Sequence, residues 1–389
     1  MLNTNINNQV AKIIEDIAQN GDKAVLKYVK KFDGIDLSET GYKISPEIIK
    51  NAKRNIHRKI KEAMRASFNN VSAYHKQEYK QIKKSWFMTK KGLKTGQFYT
   101  PVESVGIYVP GGRFSYPSTV IMTAVAAKCA GVKNLSICTP PKKINDAVLF
   151  ACDMCGIKNI YAVGGAAAIA ALAYGTQTIK KTDMIVGPGN IYVNEAKRQV
   201  FGKVGIDSLA GPSEVAIIAD KDAPANFIIS DIMAQAEHDP MAKAYLLCES
   251  AKKIDEIKKA IPEIALKQII FQKCSIKEAI KKSNEIAPEH LELLVKNPSI
   301  FLRDIKNAGA VFAGYQTPTA AGDYWAGPSH VLPTGGTAKF SSGLSVMTFL
   351  KRSSYAQIIK KNKKDYEQIA NFAESEGLLW HKKSAVERE

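Results

Sequence analysis

The chain has 389 residues, of which 45% are hydrophobic and 24% are charged, a balance typical of a globular protein. This length predicts two or more domains with substantial cores. No apolar run approaches the length of a membrane-spanning helix, and the chain start lacks the basic-then-apolar pattern of a signal peptide. We therefore expect a cytoplasmic protein with no membrane partner.

The formal net charge of +18 raises the question of nucleic-acid binding. Only 8 of the 55 basic residues are Arg, the residue favoured for bidentate recognition of phosphates and bases. The Lys residues are spread along the chain and mixed with Ile and Asn, which indicates solvated surfaces. We therefore predict no nucleic-acid partner, although the positive field would help to attract an anionic cofactor.

The cysteines include one close pair, Cys152 and Cys155, at a spacing known from redox and half-zinc motifs. The pair ends an apolar run, and no second pair follows at zinc-finger spacing. We therefore expect buried free thiols in a reducing compartment.

The part of the chain before about residue 98 predicts helices. Apolar residues from Val10 to Ile17 recur at helical spacing, and Asn20-Gly21-Asp22 ends that helix. Ser45-Pro46-Glu47 carries the signals of a helix start, and the apolar spacing after it predicts one long helix to about residue 77. We expect His57 and His75, in this Lys-rich region, to lie on the surface.

From about residue 98, strand and helix patterns alternate, which predicts parallel βαβ units. The predicted strands are 104–109, 134–139, 160–163, 183–186 and 215–219. The predicted helices between them include 118–130, 144–155 and 166–174. The expected fold class is α/β, with two Rossmann-like parallel-sheet domains, incomplete because no G-x-G-x-x-G is present, and helical N- and C-terminal segments.

Glycine-rich turns close three of the predicted strands, at 110–112, 164–165 and 187–190. Open α/β sheets bind ligands at the carboxyl ends of their strands, where helix N-termini accept phosphates. A tight turn explains each stretch when it is taken alone. Three such turns in series shift the balance modestly towards a nucleotide site.

Two stretches of the second half carry candidate metal or substrate ligands. A predicted helix presents Gln235 and His238, whose spacing suits two ligands of one metal ion, although a polar helix end is the commoner explanation. A long loop, 317–345, contains Asp323 and His330. Loops on rigid scaffolds often carry function, and the alternative is a solvated loop.

The stretch 285–294 places an acid and an imidazole side by side, Glu289 and His290, directly after Pro288. Because Pro suits the first turn of a helix, we expect a helix to start here, with Glu289 near its positive end. The two groups titrate on opposite sides of neutral pH, as general acid–base catalysis requires. A capped surface helix that happens to carry a His is the alternative.

Four of the six histidines lie in segments marked out on other grounds: His238, His290, His330 and His381. His381 lies in a tail that is predicted to be helical from about Asn362. This coincidence favours a shared metal or catalytic centre over four separate explanations.

Taken together, the marked segments resemble the histidinol dehydrogenase family, and their order and spacing match nearly to the end of the chain. The matching stretches are Gly106-Ile-Tyr-Val-Pro-Gly-Gly112, Val163-Gly-Gly-Ala166, Gly187-Pro-Gly-Asn190, Ala210-Gly-Pro-Ser-Glu-Val215, Gln235-Ala-Glu-His-Asp239, Ala287-Pro-Glu-His-Leu-Glu292, Ala321-Gly-Asp-Tyr324, His330-Val-Leu-Pro-Thr334 and Glu376-Gly-Leu-Leu-Trp-His381.

The resemblance implies an enzyme that oxidises L-histidinol through L-histidinal to L-histidine, in the last steps of histidine biosynthesis, with two NAD per turnover. It also implies one zinc ion per subunit and a homodimer with a shared active site. A dehydrogenase of another small polar alcohol is an alternative, and a zinc hydrolase with Glu289 as its base is a less favoured one. Retention of His330 and Glu376 favours histidinol as the substrate.

Site residues are implied by position in the family pattern. The implied zinc ligands are Gln235, His238, Asp323 and His381, the last reaching the site of the partner subunit. The implied catalytic pair is Glu289 and His290. The implied substrate contacts are Ser213, Gln235, His238, Glu289, Asp323, His330, Glu376 and His381. Tyr108 and Asn190 are the implied cofactor contacts, whereas Ala167 stands where the family often has a cofactor-binding Gln.

The expected domain organisation has four parts. Residues 1–97 form an N-terminal helical segment that packs on the α/β core, and residues 98–220 form a Rossmann-like domain on the NAD side. Residues 221–350 form a second α/β domain with the zinc and catalytic residues. Residues 351–389 form a helical tail that reaches the partner subunit.

Overall fold

The computed structural model describes residues 4–82, 85–111 and 115–389, so Gly112 of the first predicted glycine turn lies outside the described residues. The chain divides into two compact units. The first unit is formed by Met1–Tyr79 and Val102–Phe349, and the second by Lys80–Pro101 and Leu350–Glu389.

Helices and strands alternate along most of the described chain. The helices are α1 (Thr4–Asp33), α2 (Pro46–Asn55), α3 (Arg58–Gln81), α4 (Pro117–Ala130), α5 (Asp146–Met154), α6 (Gly165–Tyr174), α7 (Ile191–Val200), α8 (Ala225–His238), α9 (Ala251–Ala260), α10 (Glu263–Leu266), α11 (Ile276–Ile286), α12 (Thr319–Tyr324), α13 (Lys363–Ser375) and α14 (Leu379–Val386). The strands are β1 (Ser85–Lys90), β2 (Leu93–Pro101), β3 (Ser104–Tyr108), β4 (Asn134–Thr139), β5 (Asn159–Ala162), β6 (Met184–Val186), β7 (Gly205–Ile206), β8 (Glu214–Ala219), β9 (Lys243–Cys248), β10 (Ile269–Lys273), β11 (His290–Leu294), β12 (Ala310–Ala313) and β13 (Leu350–Ile358).

The first parallel sheet has the strand order β5-β4-β3-β6-β7. Its central strands are short apolar runs, as expected for strands covered on both faces. The alanine-rich helix α6 is buried along its length and packs against α1 and the sheet. Gly106 in β3 makes this close approach possible, because a Cβ there would lie 2.8 Å from the Leu172 side chain.

The second parallel sheet has the order β10-β9-β8-β11-β12. Successive residues of β8 alternate between its two faces, so Val215 and Ile217 pack with α8 and α9, whereas Ala216 and Ile218 pack with α11. In the edge strand β12, only Phe312 is buried.

In each sheet the first strand in chain order lies at the centre, with the second and third strands on one side of it and the fourth on the other. This reversal of direction creates a topological switch point in each sheet. The switch points lie between β3 and β6 and between β8 and β11. The predicted fold class, with two Rossmann-like parallel sheets and helical termini, is confirmed. Four of the cysteines are buried, as predicted for free thiols, and burial raises the pKa of the Cys152 thiol well above its ordinary value.

The N-terminal helices differ from the prediction in two places. The expected long helix breaks at Ile56, which separates α2 from α3. His75 was expected on the surface, but it is fully buried and its Nδ1 lies 2.7 Å from Glu78 Oε2. The expected helix end at Asn20-Gly21-Asp22 is confirmed, because the non-helical backbone of Gly21, with φ +52° and ψ −129°, interrupts α1 there. Of the helices in the described ranges, none is both long and apolar enough to cross a membrane.

The second unit contains an antiparallel sheet of order β1-β2-β13 and the helices α13 and α14. These strands were not predicted from the sequence. Their residues are mostly exposed, and β2 pairs with β13 across some 250 residues of sequence, from Leu93↔Ile358 to Pro101↔Leu350. The predicted C-terminal helices are present, and they pack on each other through Tyr366, Ala370 and Ala385.

Candidate active site

A cavity of about 890 Å³ lies in the first unit, where the carboxyl edge of the first sheet meets the amino edge of the second. From the first sheet it is lined by Tyr108, Pro110, Gly111, Gly164, Gly165, Pro188, Gly189 and Asn190. From the second half of the chain it is lined by Ser213, Glu289, His290, Asp323 and His330. The cavity therefore brings both predicted cofactor contacts together with the acid–imidazole pair.

The glycine turn after β6 is fixed by its surroundings. Gly187 has a φ of +112°, and a Cβ there would lie 2.2 Å from the Tyr108 carbonyl oxygen, so glycine alone fits. The buried Lys197 of α7 donates to Gly187 O at 3.1 Å and forms an ion pair with Asp207. The Asp207 carboxylate in turn accepts from Gly187 N at 2.7 Å. These bonds hold the turn rigid at the edge of the cavity.

The two predicted cofactor contacts lie at helix starts beside the cavity. The Tyr108 hydroxyl accepts from Gly165 N, in the first turn of α6, at 3.1 Å. Burial raises the pKa of Tyr108 to about 12, so the phenol stays protonated and can donate to a ligand. The Asn190 side chain caps α7 by accepting from Tyr192 N and Val193 N, both at 3.1 Å.

The helix expected to begin at Pro288 is absent, and this prediction is wrong. Helix α11 ends before it, Ala287 takes a left-handed conformation with φ +53°, and β11 begins at His290. The leucines of β11 alternate between two cores, as strand residues do. Short apolar runs fit either the helical or the strand period, which explains the error. Glu289 therefore lies at the amino edge of a sheet and not at a helix N-terminus.

The Glu289 carboxylate is buried and held by fixed donors. Its Oε2 accepts from the Ser213 hydroxyl and from Glu214 N, the latter at 3.3 Å. The Gln235 amide donates to Ser213 Oγ at 2.8 Å, which orients the hydroxyl. This chain of bonds links α8 to the amino ends of β8 and β11. It points one carboxylate into the cavity in a defined orientation.

His290 is buried next to Glu289, with its Nδ1 3.9 Å from Glu289 Oε2. Burial lowers the pKa of His290, and the nearby charges of Asp323 and Glu214 oppose that shift. Its Nδ1 has no hydrogen-bond partner among the described residues. The ring tilts against Phe312, with centroids 5.8 Å apart. A buried neutral imidazole of this kind is suited to accept a proton from a bound substrate.

His330 and Asp323 face the same cavity from the stretch expected to be a long loop. Asp323 lies on α12, a short helix inside that stretch, and its Oδ1 is 3.8 Å from His330 Nδ1. His330 Nε2 is 3.2 Å from the Thr119 hydroxyl on α4. The contact joins the loop to a helix of the first sheet.

The donor types of the predicted metal site fit zinc, which accepts amide, imidazole and carboxylate ligands. Gln235 and Asp323 lie on α8 and α12, two helices in contact, and Asp323 lines the cavity. His238 ends α8, but its side chain is outside the described part of the structure. Within the described ranges, no three His, Cys, Asp or Glu side chains lie close enough together to hold a metal ion. A complete site would therefore need His238 and a further ligand.

The other two predicted site residues belong to the second unit. Glu376 follows α13 and His381 lies on α14, and both are exposed. Exposure is required of residues that would enter the active site of a partner subunit. Their roles stay predictions.

The cavity is also lined by residues that were not predicted from the sequence, Thr119 on α4 and Tyr28, Phe32 and Asp33 of α1. Two further features behind its wall were not predicted either: Glu214 N, which donates to Glu289, and the Lys197–Asp207 pair, which holds the turn 187–190. Burial raises the pKa of the Glu214 carboxyl, which accepts from Gly336 N at 3.3 Å. The acid at the start of β8 was visible in the sequence, but the approach of α1 depends on tertiary packing. Ala167 is buried in the core around α6, and its neighbour Ala166 lines the cavity.

The fold and the cavity define the class of this protein, a two-sheet α/β enzyme equipped for acid–base chemistry beside a nucleotide-type sheet edge. The sequence pattern of histidinol dehydrogenase matches residues 1–389. The chain is 45% identical to the histidinol dehydrogenase of Methanocaldococcus jannaschii, over 97% of this chain and 91% of that protein. It is 44% identical to that of Clostridium acetobutylicum, over 98% of this chain and 92% of that protein.

A crystal structure of histidinol dehydrogenase from Elizabethkingia anophelis has the same fold, with a TM-score of 0.91 at 36% identity. The match covers 98% of this chain and 91% of that one. The chain belongs to the histidinol dehydrogenase family. The predicted family and the oxidoreductase class are thereby confirmed.

Proposed function

We propose that this chain oxidises L-histidinol through L-histidinal to L-histidine, at the end of histidine biosynthesis, with two NAD per turnover and one zinc ion per subunit. The observation that carries the proposal is the meeting of Glu289 and His290 with the carboxyl edge of the first sheet around one cavity. Membership of the family supports the same reaction.

The carboxyl edge of the first sheet supports NAD as the cofactor. Two helix starts and the glycine turn 187–190 border the cavity there, at a switch point of the kind that binds nucleotides. A Cβ at Gly189 would lie 2.2 Å from the Val193 side chain, so no side chain fits at that position of the turn. Tyr108 and Asn190 are the proposed contacts. Bound NAD would accept the hydride from the substrate carbon.

The proposed zinc ligands are Gln235, His238, Asp323 and His381 of the partner subunit. Bound zinc would polarise the oxygen of the alcohol or of the aldehyde hydrate. The proposed substrate contacts beside these ligands are Ser213, Glu289, His330 and Glu376. Ser213, Asp323 and His330 support this placement by lining the same cavity as the acid–imidazole pair.

His290 is the proposed general base in both oxidations. It takes the hydroxyl proton of histidinol as hydride leaves the same carbon, which yields histidinal and one NADH. Its lowered pKa keeps the imidazole neutral near pH 7, as a base must be. Glu289 takes a proton from the water that adds to histidinal, and protonated His290 returns its proton to the carbonyl oxygen, which gives the hydrate and restores the neutral imidazole. His290 then takes a hydroxyl proton of the hydrate, which yields histidine and the second NADH.

The proposed assembly is a homodimer with a shared active site. Residues 351–389 would reach the partner subunit, and the exposure of Glu376 and His381 supports that role. Residues 98–220 would form the NAD side, and residues 221–350 would hold zinc and the catalytic pair. We propose cytoplasmic localisation, with no nucleic-acid or membrane partner.

The test is the yield of NADH, followed by its absorbance, when zinc-loaded protein is mixed with NAD and a limiting amount of histidinol. We expect two NADH for each histidinol consumed. A panel of other small polar alcohols serves as the control and should give far lower kcat/KM. No NADH from histidinol, or faster oxidation of another alcohol, would overturn the proposed substrate. Hydrolysis of an ester or amide without NAD would instead favour the zinc hydrolase.

A further inference from the structure

A pair of acidic side chains lies behind the proposed site, between the second sheet and the helix α8 that covers it. Glu292 is on β11, two residues after His290 and on the same face, and it is fully buried. Its neighbours across the sheet are Ile217 and Phe312, which carry no charge. Asp231 faces it from α8, and this carboxyl group is also buried.

The hydrogen bonds of Glu292 indicate where a proton must sit. Its Oε1 accepts from Thr319 N at 2.9 Å, the first residue of α12. Its Oε2 is buried and finds no donor among the described residues, although the Asp231 carboxyl lies within hydrogen-bond reach. Two ionised carboxylates only repel each other, and buried polar atoms are rarely left unpaired. A proton on Glu292 Oε2, donated to Asp231, satisfies both groups.

The charges around Glu292 are consistent with this assignment. Burial and then the charge of Asp231 raise the pKa of Glu292 to about 9, whereas burial raises the pKa of Asp231 to about 6. Of the titratable groups described, Asp231 is the one whose charge acts on Glu292. His290 shares its strand, and α12 brings Asp323, whose charge acts on His290. At neutral pH, Glu292 is therefore the donor and Asp231 the acceptor.

The pair ties together the three elements that carry the second half of the site. Glu292 is on the strand of His290, Asp231 is one turn before Gln235 on α8, and Thr319 is one turn before Asp323 on α12. Phe312 fills the space beside them, since a Cβ at Gly322 would lie 2.6 Å from its ring. Tilting α8 or α12 away from β11 would therefore break a bond of the pair.

We propose that Asp231 and Glu292 form a proton-sharing acid pair that positions His290, Gln235 and Asp323 relative to one another. Both are positioning residues, because they lie behind the groups that would touch substrate. The proposal rests on the function proposed above for His290, Gln235 and Asp323. It adds that the site needs a neutral, protonated Glu292 to keep its geometry.

Two substitutions of Glu292 distinguish the effect of its hydrogen bonds from the effect of its side-chain volume. Glu292→Gln keeps both bonds, since its amide donates to Asp231 and its carbonyl accepts from Thr319 N. Glu292→Met, of similar length, removes both. We expect E292Q to keep wild-type kcat for histidinol near pH 7 and E292M to lose about 10–100-fold. A loss in E292Q as large as in E292M would overturn the proposal.

The pH profile adds a readout that a purely structural role would not change. Wild-type kcat should fall as pH rises through about 9, where Glu292 loses its proton, and E292Q should keep its activity there. Equal alkaline limbs in the two proteins would contradict the pair. Circular dichroism of each full-length, zinc-loaded variant checks that it is folded.

The melting temperature, measured against pH, tests the proton-sharing acid pair whether or not histidinol is the substrate. The folded chain holds the Glu292 proton up to about pH 9, whereas the unfolded chain releases it near the ordinary value of 4.5. Glu292 therefore lowers wild-type stability progressively between these pH values, and Gln does not. The melting temperature of E292Q should exceed that of wild type by a margin that grows with pH. A constant margin would refute the proton-sharing pair, and absent histidinol oxidation in wild type would refute only the proposed function.

Discussion

The two parallel sheets share one strand order, yet they offer opposite edges to the cavity. The first sheet presents its carboxyl edge, with the glycine turns after β3, β5 and β6. The second sheet presents its amino edge, where Ser213 precedes β8 and Glu289 precedes β11. The same topology thus supplies a ligand-binding edge in the first sheet and acid–base groups in the second.

The carboxyl edge of the second sheet is closed by its own side chains. Asp220, directly after β8, accepts from the Tyr315 hydroxyl at 2.7 and 2.9 Å. It also accepts from Lys296 N at 2.9 Å and from Ala223 N at 2.8 Å. An internal carboxylate therefore takes the backbone amides that a ligand phosphate would use at such a switch point. Strand order creates two candidate edges, and what fills each edge decides which one binds a ligand.

The substitution with the largest expected effect is His290→Asn, which tests whether the amino edge of the second sheet supplies the base. Without a base, both oxidations should fall by about 10⁴-fold in kcat, near the upper end of what positioned acid–base groups supply. Asn is smaller and neutral, so the fold and the metal content should be unchanged. Metal analysis beside steady-state kinetics checks this expectation. Loss of zinc would mean that His290 is a metal ligand and not the base.

Glu289→Gln tests the other member of the pair at the same edge. Gln can still accept from the Ser213 hydroxyl, but it cannot take a proton from water. We expect oxidation of histidinal to fall by about 10³-fold and oxidation of histidinol to change much less. The two steps are compared by supplying each substrate separately. Equal losses in both steps would remove the water-activating role of Glu289.

Gly187→Ala tests the carboxyl edge of the first sheet. The added Cβ would press on the Tyr108 carbonyl oxygen and displace the turn 187–190, so kcat/KM for NAD should fall by about 10²-fold. Gly202→Ala is the matched control, because Gly202 also has a positive φ, of +97°, but has no atom within 4 Å of the added Cβ. Both variants pay the strain of about 1–3 kcal/mol for a side chain at positive φ. Equal kcat/KM for NAD in the two variants would show that the turn at this edge does not bind the cofactor.

The sequence predicted the first sheet and β8 well because their signals are local. Apolar runs, glycine turns and helix caps mark β3 to β6, β8, α4 to α6 and α8 within a few residues. The resemblance to a known family then predicted that side chains from distant segments share one site, which hydrophobic periodicity could not indicate. The cavity brings together Ser213, Asp323 and the pair Glu289–His290 from those segments.

The errors share a physical cause, because they concern residues whose environment is set by distant parts of the chain. His75 looked like a surface residue among lysines, but Glu78 and the backbone of Val346 complete a buried polar cluster around it. The strand at His290 looked like a helix start because five residues cannot distinguish the two periods. The acid pair Asp231–Glu292 left no sequence signal, since its members are remote in the chain and meet only through packing.

Tyr315→Phe is the smallest and most selective test of the difference between the two sheets. It removes the hydroxyl that closes the second carboxyl edge and leaves the backbone donors to Asp220 in place. We expect a loss of about 1 kcal/mol in the free energy of unfolding, the ordinary value of one hydrogen bond, measured by denaturant titration. The kinetics with NAD and histidinol should not change, because the closed edge takes no part in binding. A rise in KM for either ligand would show that both carboxyl edges serve the active site.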